Sequence, residues 1–472
     1  MAKLGFLSAG CRESRCNDPL ISTLNEDVFT VRRASSTLRD TVIPLLFIFM
    51  TIFSFRIPLV YNSLVLAAMG AFIAGFRSPV FWRKMGELLR SDYLFDVLKS
   101  YFVIFFVITV VLLYTVSSDI TIFRGYISVV VSLACTAVVM VFLLSKYALT
   151  CADVLRLVLY AMCLQSLIQI AGFVSPDVLA IVQLFQNESD SEMLQLGYGG
   201  LRGLALSGEL TFALSATYGF SFIILFYLVV NAGISRFSSY VAGFLLVIGS
   251  MFAGRTAFIG LAVGVLYYLS ASGFGAKAFL RLGMNIIIVL VVCAAALTFF
   301  ASEQTEALLR FAFEFVYAYL EGNSVETEST NILMESLRLQ FDPTTLAFGD
   351  GMYTNADGSY YKKIDSGYAR QILFGGVAFL VVCFVNQLAV LRVFLSSVWG
   401  GAQIGLRRMS LFAYGYLAVL HVKGEAIGYI KFVQVIIFMC SLALIHEFLV
   451  RRRISPDPSG ECKDGPAEGC TA

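Results

Sequence analysis

The sequence predicts an all-α, polytopic membrane helix bundle of about twelve transmembrane helices, with a large polar loop between two of them. Three observations predict it. Of 472 residues, 58% are hydrophobic and only 14% are charged, against about a quarter charged in soluble domains. Apolar runs near twenty residues recur along the chain, each long enough to cross about 30 Å of hydrocarbon. Residues 301–366, by contrast, hold almost no long apolar run and carry Glu303, Glu306, Glu321, Glu326, Glu328, Asp342, Asp350 and Asp357. Loops of that length are uncommon unless they have a role.

The elements follow in order. Residues 1–40 are a polar arm with Arg12, Arg15, Arg32, Arg33 and Arg39. Its Leu7-Ser8-Ala9-Gly10-Cys11 stretch faintly resembles a lipoprotein cleavage site, but the apolar run before it is too short, and no cleavable signal is expected. The membrane domain is 41–453. Its spans are expected near 41–55, 58–76, 100–116, 125–145, 152–172, 209–230, 237–253, 256–270, 282–300, 370–391, 409–421 and 428–449. Arg56 and Pro58 alone separate the first two, which makes them a tight helical hairpin. Within the large loop, 303–320 mixes apolar and acidic residues and suits an amphipathic helix along the interface. A second short helix fits 331–340, Asp342-Pro343 breaks it, and Gly349, Gly351 and Gly358 mark turns. Residues 454–472, with Pro456, Pro458, Gly460, Gly465 and Pro466, read as a disordered tail. No internal repeat stands out.

Positive charge orients the bundle. With the arm in the cytoplasm, the inner segments hold Arg77, Arg83, Lys84, Arg90, Lys146, Arg236, Lys277, Arg281, Arg392, Arg407, Arg408 and Arg451-Arg452-Arg453. Both termini are then cytoplasmic, and the loops 173–208 and 301–366 face the periplasm or cell exterior. Neither loop contains cysteine, as suits an oxidising compartment. The net charge of +2 gives no sign of nucleic-acid binding.

Three arginines lie on the outer side beside spans: Arg202 in Leu201-Arg202-Gly203, Arg255 in the short turn Gly254-Arg255-Thr256, and Arg370 at the start of the tenth span. Arginine near hydrocarbon is costly and is kept where it has a partner or a task. Its planar guanidinium grips phosphate oxygens in a bidentate way, so these residues suit the diphosphate of a lipid-linked substrate. The bland alternative is headgroup contact or an internal ion pair. Asp365, Tyr368, Asp350 and Glu209 are the acidic and phenolic candidates, a carboxylate there being able to take a proton from a sugar hydroxyl. Asp365 equally suits a helix cap. Tyr353, Tyr360 and Tyr361 suit either stacking on sugar rings or packing of the loop. Gly260 and Gly264 read as helix packing. His421, close to Lys423 and Glu425, reads best as a satisfied structural histidine. No His/Cys cluster has zinc-ligand spacing, and no glycine loop is built for a nucleotide, so no metal or cofactor is expected.

Three pieces, in order, resemble the O-antigen polymerase and ligase superfamily of bacterial inner-membrane glycosyltransferases. They are Arg202 with Ser207-Gly208-Glu209; Gly249-Ser250-Met251-Phe252-Ala253-Gly254-Arg255-Thr256-Ala257; and Phe348-Gly349-Asp350-Gly351 with Asp365-Ser366-Gly367-Tyr368 and Gly375-Gly376. The resemblance implies a GT-C-like bundle that acts on undecaprenyl-diphosphate-linked glycans at the periplasmic face of the inner membrane. A polymerase of this family moves the growing chain from its lipid diphosphate to a sugar hydroxyl of a new repeat unit. A ligase moves it to lipid A-core and usually carries a histidine in the large loop. Residues 301–366 contain none, which favours the polymerase branch. On this resemblance Arg202 and Arg255 hold the diphosphates, Arg370 or Arg338 helps, and Asp365 or Glu209 is the general base, with Tyr368 beside them. The implied partners are the lipid-linked glycan, the bilayer, and a chain-length regulator and repeat-unit flippase. The competing class is a secondary transporter or flippase, but those often show related halves about a long central cytoplasmic loop, and the centre at Asn231–Phe237 is short.

Overall fold

Apolar side chains cover the outside of this protein while polar ones sit within it. Ile73, Phe95, Phe102, Leu113, Phe237 and Leu280 are exposed, whereas Gln165, Gln169, Gln371, Asn386, Gln387 and Gln434 are buried. That inversion is what a bundle in lipid requires, because hydrocarbon solvates the former and only other helices can satisfy the latter. The computed structural model describes residues 38–58, 60, 62–186, 204–299, 306, 309–310, 334, 340–396 and 404–454. Arg202, Arg338, most of the helices expected at 303–320 and 331–340, and most of both terminal segments lie outside the described residues.

The described elements are α1 Leu38–Phe53, α2 Ser63–Gly75, α3 Pro79–Leu89, α4 Asp92–Thr115, α5 Thr121–Tyr147, α6 Cys151–Val174, α7 Pro176–Gln183, α8 Phe212–Asn231, α9 Arg236–Ala253, α10 Ala257–Ser272, α11 Ala276–Phe299, α12 Pro343–Phe348, α13 Gly367–Leu395, α14 Ile404–Leu420 and α15 Lys431–Ile454. The chain divides after Pro44, and the unit from Leu45 onward holds the bundle. The protein is a multi-pass membrane protein. Among the described residues, eight helices are long and apolar enough to cross a bilayer (α4, α5, α6, α8, α9, α11, α13 and α15), and α1, α2 and α10 are apolar but shorter. The remaining expected span falls on α14, whose 17 residues rise about 25 Å, short of the hydrocarbon thickness.

Local sequence sets the boundaries. Thr150 and Asp153 form a capping box that opens α6. Ser78, Ser91, Ser175 and Ser235 cap α3, α4, α7 and α9 through their side-chain oxygens. The charged segment after α2, which carries Arg83 and Lys84, is the amphipathic helix α3. Its Phe81 and Leu88 are buried, while Lys84 donates to the Leu144 carbonyl and contacts His446 at 2.7 Å. Residues 340–342 are non-helical, and Asp342-Pro343 then starts a new helix, because proline at the first helical position gives up an N–H that would have no partner anyway. Gly260 and Gly264 pack as their spacing suggests: a Cβ on Gly260 would overlap the Gly219 backbone, so α8 and α10 meet backbone to backbone.

The tenth expected span, α13, is broken near its start. Gly375 (φ −138°, ψ 22°) and Gly376 (φ 70°, ψ −173°) leave the helical region, and the carbonyls of Leu373 and Phe374 are turned outward. The loop answers them. The Asp350 N–H donates to Leu373 and the Gly351 N–H to Phe374. Glycine is required at the contact, since side chains on Gly349 and Gly376 would overlap the Phe374 and Ala347 carbonyls. Two motifs far apart in sequence, Phe348-Gly349-Asp350-Gly351 and Gly375-Gly376, are therefore one structural joint.

Candidate functional site

The end of the bundle that carries residues 340–366 gathers most of the candidate residues. The polypeptide from Leu204 to Thr211 crosses it, fixed by the Gly208 N–H donating to the Phe53 carbonyl and by the Gln186 amide donating to Ala205. It leads into α8, where the Ser215 hydroxyl donates to the Gly254 carbonyl at 2.7 Å and meets the Thr256 hydroxyl at 2.6 Å. Those bonds hold the Gly254-Arg255-Thr256 turn in place, with Gly254 at φ 141°, a positive value that favours glycine. The Phe212 ring, one turn earlier on α8, packs against Gly424, and the Gly424 carbonyl packs against Gly367 at the start of α13. The Arg255 turn and Arg370 thus belong to one end of the bundle and are linked through α8 and the 421–430 turn.

Arg370 is the centre of this region. It lies in the first turn of α13 and is only 6% exposed. Its guanidinium carbon sits 4.0 Å from the ring centroid of Tyr353 and 3.7 Å from that of Tyr360. The Nε and Nη2 groups have no hydrogen-bond partner among the described residues. A desolvated cation is stabilised by ring faces but still needs acceptors for its donors. The two tyrosines come from a hairpin closed by Asn355-Ala356-Asp357-Gly358, in which the Asn355 N–H donates to the Ser359 carbonyl and the Tyr361 N–H to the Tyr353 carbonyl. The hairpin is clamped by Asp119, in the turn between α4 and α5. One carboxylate oxygen of Asp119 accepts from the Tyr353 N–H at 2.7 Å and from the Thr354 N–H at 2.6 Å. Partial burial works against the Asp119 carboxylate, but the Thr354 and Thr121 bonds overcome it and hold the group below the usual range. Of the loop tyrosines, then, Tyr353 and Tyr360 pack on an arginine.

The remaining candidates divide. Glu209 is committed to Lys431 at 3.3 Å. Asp350 accepts from the Thr345 hydroxyl and from the Lys362 ammonium at 3.0 Å, so it braces the loop joint. Tyr368 donates its hydroxyl to the Ala418 carbonyl at 3.0 Å and lays its ring edge-on to His421 at 4.7 Å. Asp365 is exposed. Desolvation of its carboxyl lifts it above the ordinary value, against the opposing pull of Arg370 and Lys423. The cap of α13 is Ser366, which makes no side-chain capping bond, so Asp365 does not serve as the cap. His421 is buried and satisfied: Nδ1 accepts from the Ala426 and Ile427 N–H groups and Nε2 meets the Gln371 amide oxygen at 3.1 Å.

One group escaped sequence reasoning as a candidate. Glu425, between α14 and α15, is 5% exposed and neither of its carboxyl oxygens has a partner among the described residues. Burial pushes this carboxyl well above the usual range. Tyr429 lies within reach of the charges of Glu425, Arg370 and Glu209. The sequence signal was present in Lys423-Gly424-Glu425 through Gly428, a short charged break between two apolar runs. Among the described residues no His, Cys, Asp and Glu cluster could hold a metal. A cavity walled by Leu155, Phe220, Leu391, Phe394, Met409 and Cys440 offers only apolar surface and contains none of the site residues. Comparison with protein families, with curated proteins and with solved structures finds no match to this chain.

Proposed function

We propose that the protein polymerises undecaprenyl-diphosphate-linked oligosaccharide repeat units into O-antigen or a related surface polysaccharide, at the periplasmic face of a bacterial inner membrane. The observation that carries this reading is Arg370, a buried guanidinium fixed between two rings with its Nε and Nη2 donors uncommitted among the described residues. Breaking a sugar–phosphate bond leaves a diphosphate whose growing charge must be stabilised. Fixed guanidinium groups do this without reorganising during the reaction. Arg370 is the principal diphosphate ligand on this reading, with Arg255 and Arg202 as further ligands and Arg338 as a helper. The glycosyl group leaves its lipid diphosphate and joins a hydroxyl of the incoming unit, and the energy comes from the phosphate ester itself. Both termini are cytoplasmic on this reading, and a chain-length regulator and a repeat-unit flippase are its expected partners.

The test is the surface glycan ladder of a deletion strain beside strains complemented with wild type, Arg255→Ala and Arg370→Ala. Polymerase activity requires collapse to core plus one repeat unit in the deletion strain and in both variants, with the variants still inserted in the membrane. Core alone with long lipid-linked polymer accumulating identifies a ligase instead. Core alone with single repeats trapped on the inner leaflet identifies a flippase.

A further inference from the structure

The carboxylates at this end of the bundle are not equivalent. Asp119 is engaged by the hairpin amides, Asp350 by Thr345 and Lys362, and Glu209 by Lys431. Asp365 is exposed as a residue and lies within reach of the opposing charges of Arg370 and Lys423. Glu425 alone among these five is both shielded from water and uncommitted at both oxygens. Buried carboxyl groups are normally hydrogen-bonded, and one left open in a rigid setting calls for a functional account.

The setting is rigid. His421 accepts the two amides that follow Glu425, the Gly428 N–H donates to the Gln387 amide oxygen at 3.0 Å, and Gly424 is wedged between Phe212 and Gly367. These contacts fix the backbone on both sides of the carboxyl. Its charge reaches Tyr126 on α5 and Tyr429 on its own turn, and Tyr429 in turn lies within reach of Arg370 on α13 and of Glu209 before α8, which pairs with Lys431 on α15; His421 and Lys423 share its turn.

We infer that Glu425 is the general base of the transfer reaction, the group that receives the proton of the attacking sugar hydroxyl. The inference rests on the polymerase reading above. As the acceptor oxygen bonds to the anomeric carbon, the bond from that carbon to the diphosphate oxygen breaks and its electron pair leaves with the diphosphate, next to Arg370. The acceptor proton passes to a Glu425 oxygen and later to water, which returns the carboxylate. Burial supports the role, since a carboxyl lifted above its usual range is the stronger base once ionised. Asp365 and Glu209 are thereby released from that role, Glu209 serving to fix Lys431.

The experiment uses full-length protein in proteoliposomes. The probe is the lipid-linked repeat unit extracted from a native-host strain that lacks the gene. Wild type, Arg370→Ala, Glu425→Gln and Glu425→Asp are compared for elongation, for binding of the extracted lipid and for the pH dependence of the elongation rate. Glu425→Gln should lose about 10²–10⁴-fold in elongation while still binding the lipid. Glu425→Asp should recover part of the rate with its acid limb displaced along the pH axis. Elongation by Glu425→Gln within a few-fold of wild type overturns the assignment and leaves the polymerase reading intact. If the glutamine variant fails to insert, an unmoved acid limb in Glu425→Asp overturns it equally. Failure of inserted, lipid-binding wild type to elongate overturns the polymerase reading and this assignment together.

Discussion

The Arg370 guanidinium lies 3.7 Å from the centroid of the Tyr360 ring, at the start of a membrane-spanning helix. A planar cation between two ring faces keeps its edge free for a ligand, which a flexible ammonium in the same place would not do. Arg370→Lys should therefore lose nearly as much elongation as Arg370→Ala. Tyr360→Leu removes one ring face, about 1 kcal/mol of cation–π interaction for a half-exposed ring, and should weaken binding of the lipid-linked unit by roughly fivefold. Titration of each variant in liposomes checks both. Wild-type binding by Tyr360→Leu would show that the ring only packs the loop.

Asp119 holds the hairpin from a distance of more than two hundred residues in sequence. Asp119→Ala leaves the Tyr353 and Thr354 amides without their acceptor, at a cost of about 1–3 kcal/mol per buried group. The expected outcome is faster amide exchange over 353–360 and faster tryptic cleavage at Lys362 and Lys363, with the helices unaffected. Asp119→Asn keeps an acceptor oxygen and should fall between the two. Unchanged exchange in the alanine variant would mean that the hairpin is held elsewhere.

Glycines with left-handed backbones separate into two kinds. Gly358 (φ 81°) faces open space, so Gly358→Ala should cost only the conformational term, about 1–2 kcal/mol. Gly376 (φ 70°) abuts the Ala347 carbonyl, so Gly376→Ala carries that term and an overlap with backbone. Thermal unfolding in detergent should show a mild shift for the first and loss of the folded protein, or a far larger shift, for the second. Equal shifts would contradict the joint between α12 and α13.

The burial of Glu425 has a consequence for stability with a definite sign. Its carboxyl is raised in the folded protein, so between the ordinary value of 4.5 and the raised value the folded state binds more protons than the unfolded state. Stability from this group is complete below pH 4.5 and is lost as pH rises through the folded value. Glu425→Gln, neutral at every pH, should flatten that decline. Melting temperatures in detergent from pH 4.5 upward check it, and identical slopes in both proteins would show that Glu425 stays solvated.

Much of the architecture was legible because its signal is local. Long apolar runs locate membrane helices whatever they pack against, so each expected span lies on an observed helix. The charged run around Arg83 concealed the amphipathic α3, whose buried positions Phe81 and Leu88 are a full seven residues apart. Pro343 was legible only as a breaker, since the same residue opens a helix when its N–H is not needed. The site was partly legible, because arginine beside hydrocarbon is conspicuous in any sequence. Arg255 and Arg370 do share one end, with Glu209, Asp365 and Tyr368 around them. Glu425 was not legible as a site residue. Its distinction is burial without a partner, which arises only when α5, α8, α13 and α15 close around the 421–430 turn. Nor does composition show that Tyr353 and Tyr360 spend their ring faces on Arg370.

The joint at Gly375-Gly376 limits how this end of the protein can open. Drawing the loop away from α13 would leave the Leu373 and Phe374 carbonyls bare at the edge of the hydrocarbon, a penalty of several kcal/mol for each group. The base of the loop therefore behaves as a welded seam. On the proposed reading, passage for a bulky glycan lies above it, where the Tyr353–Tyr361 hairpin is fastened chiefly by one aspartate.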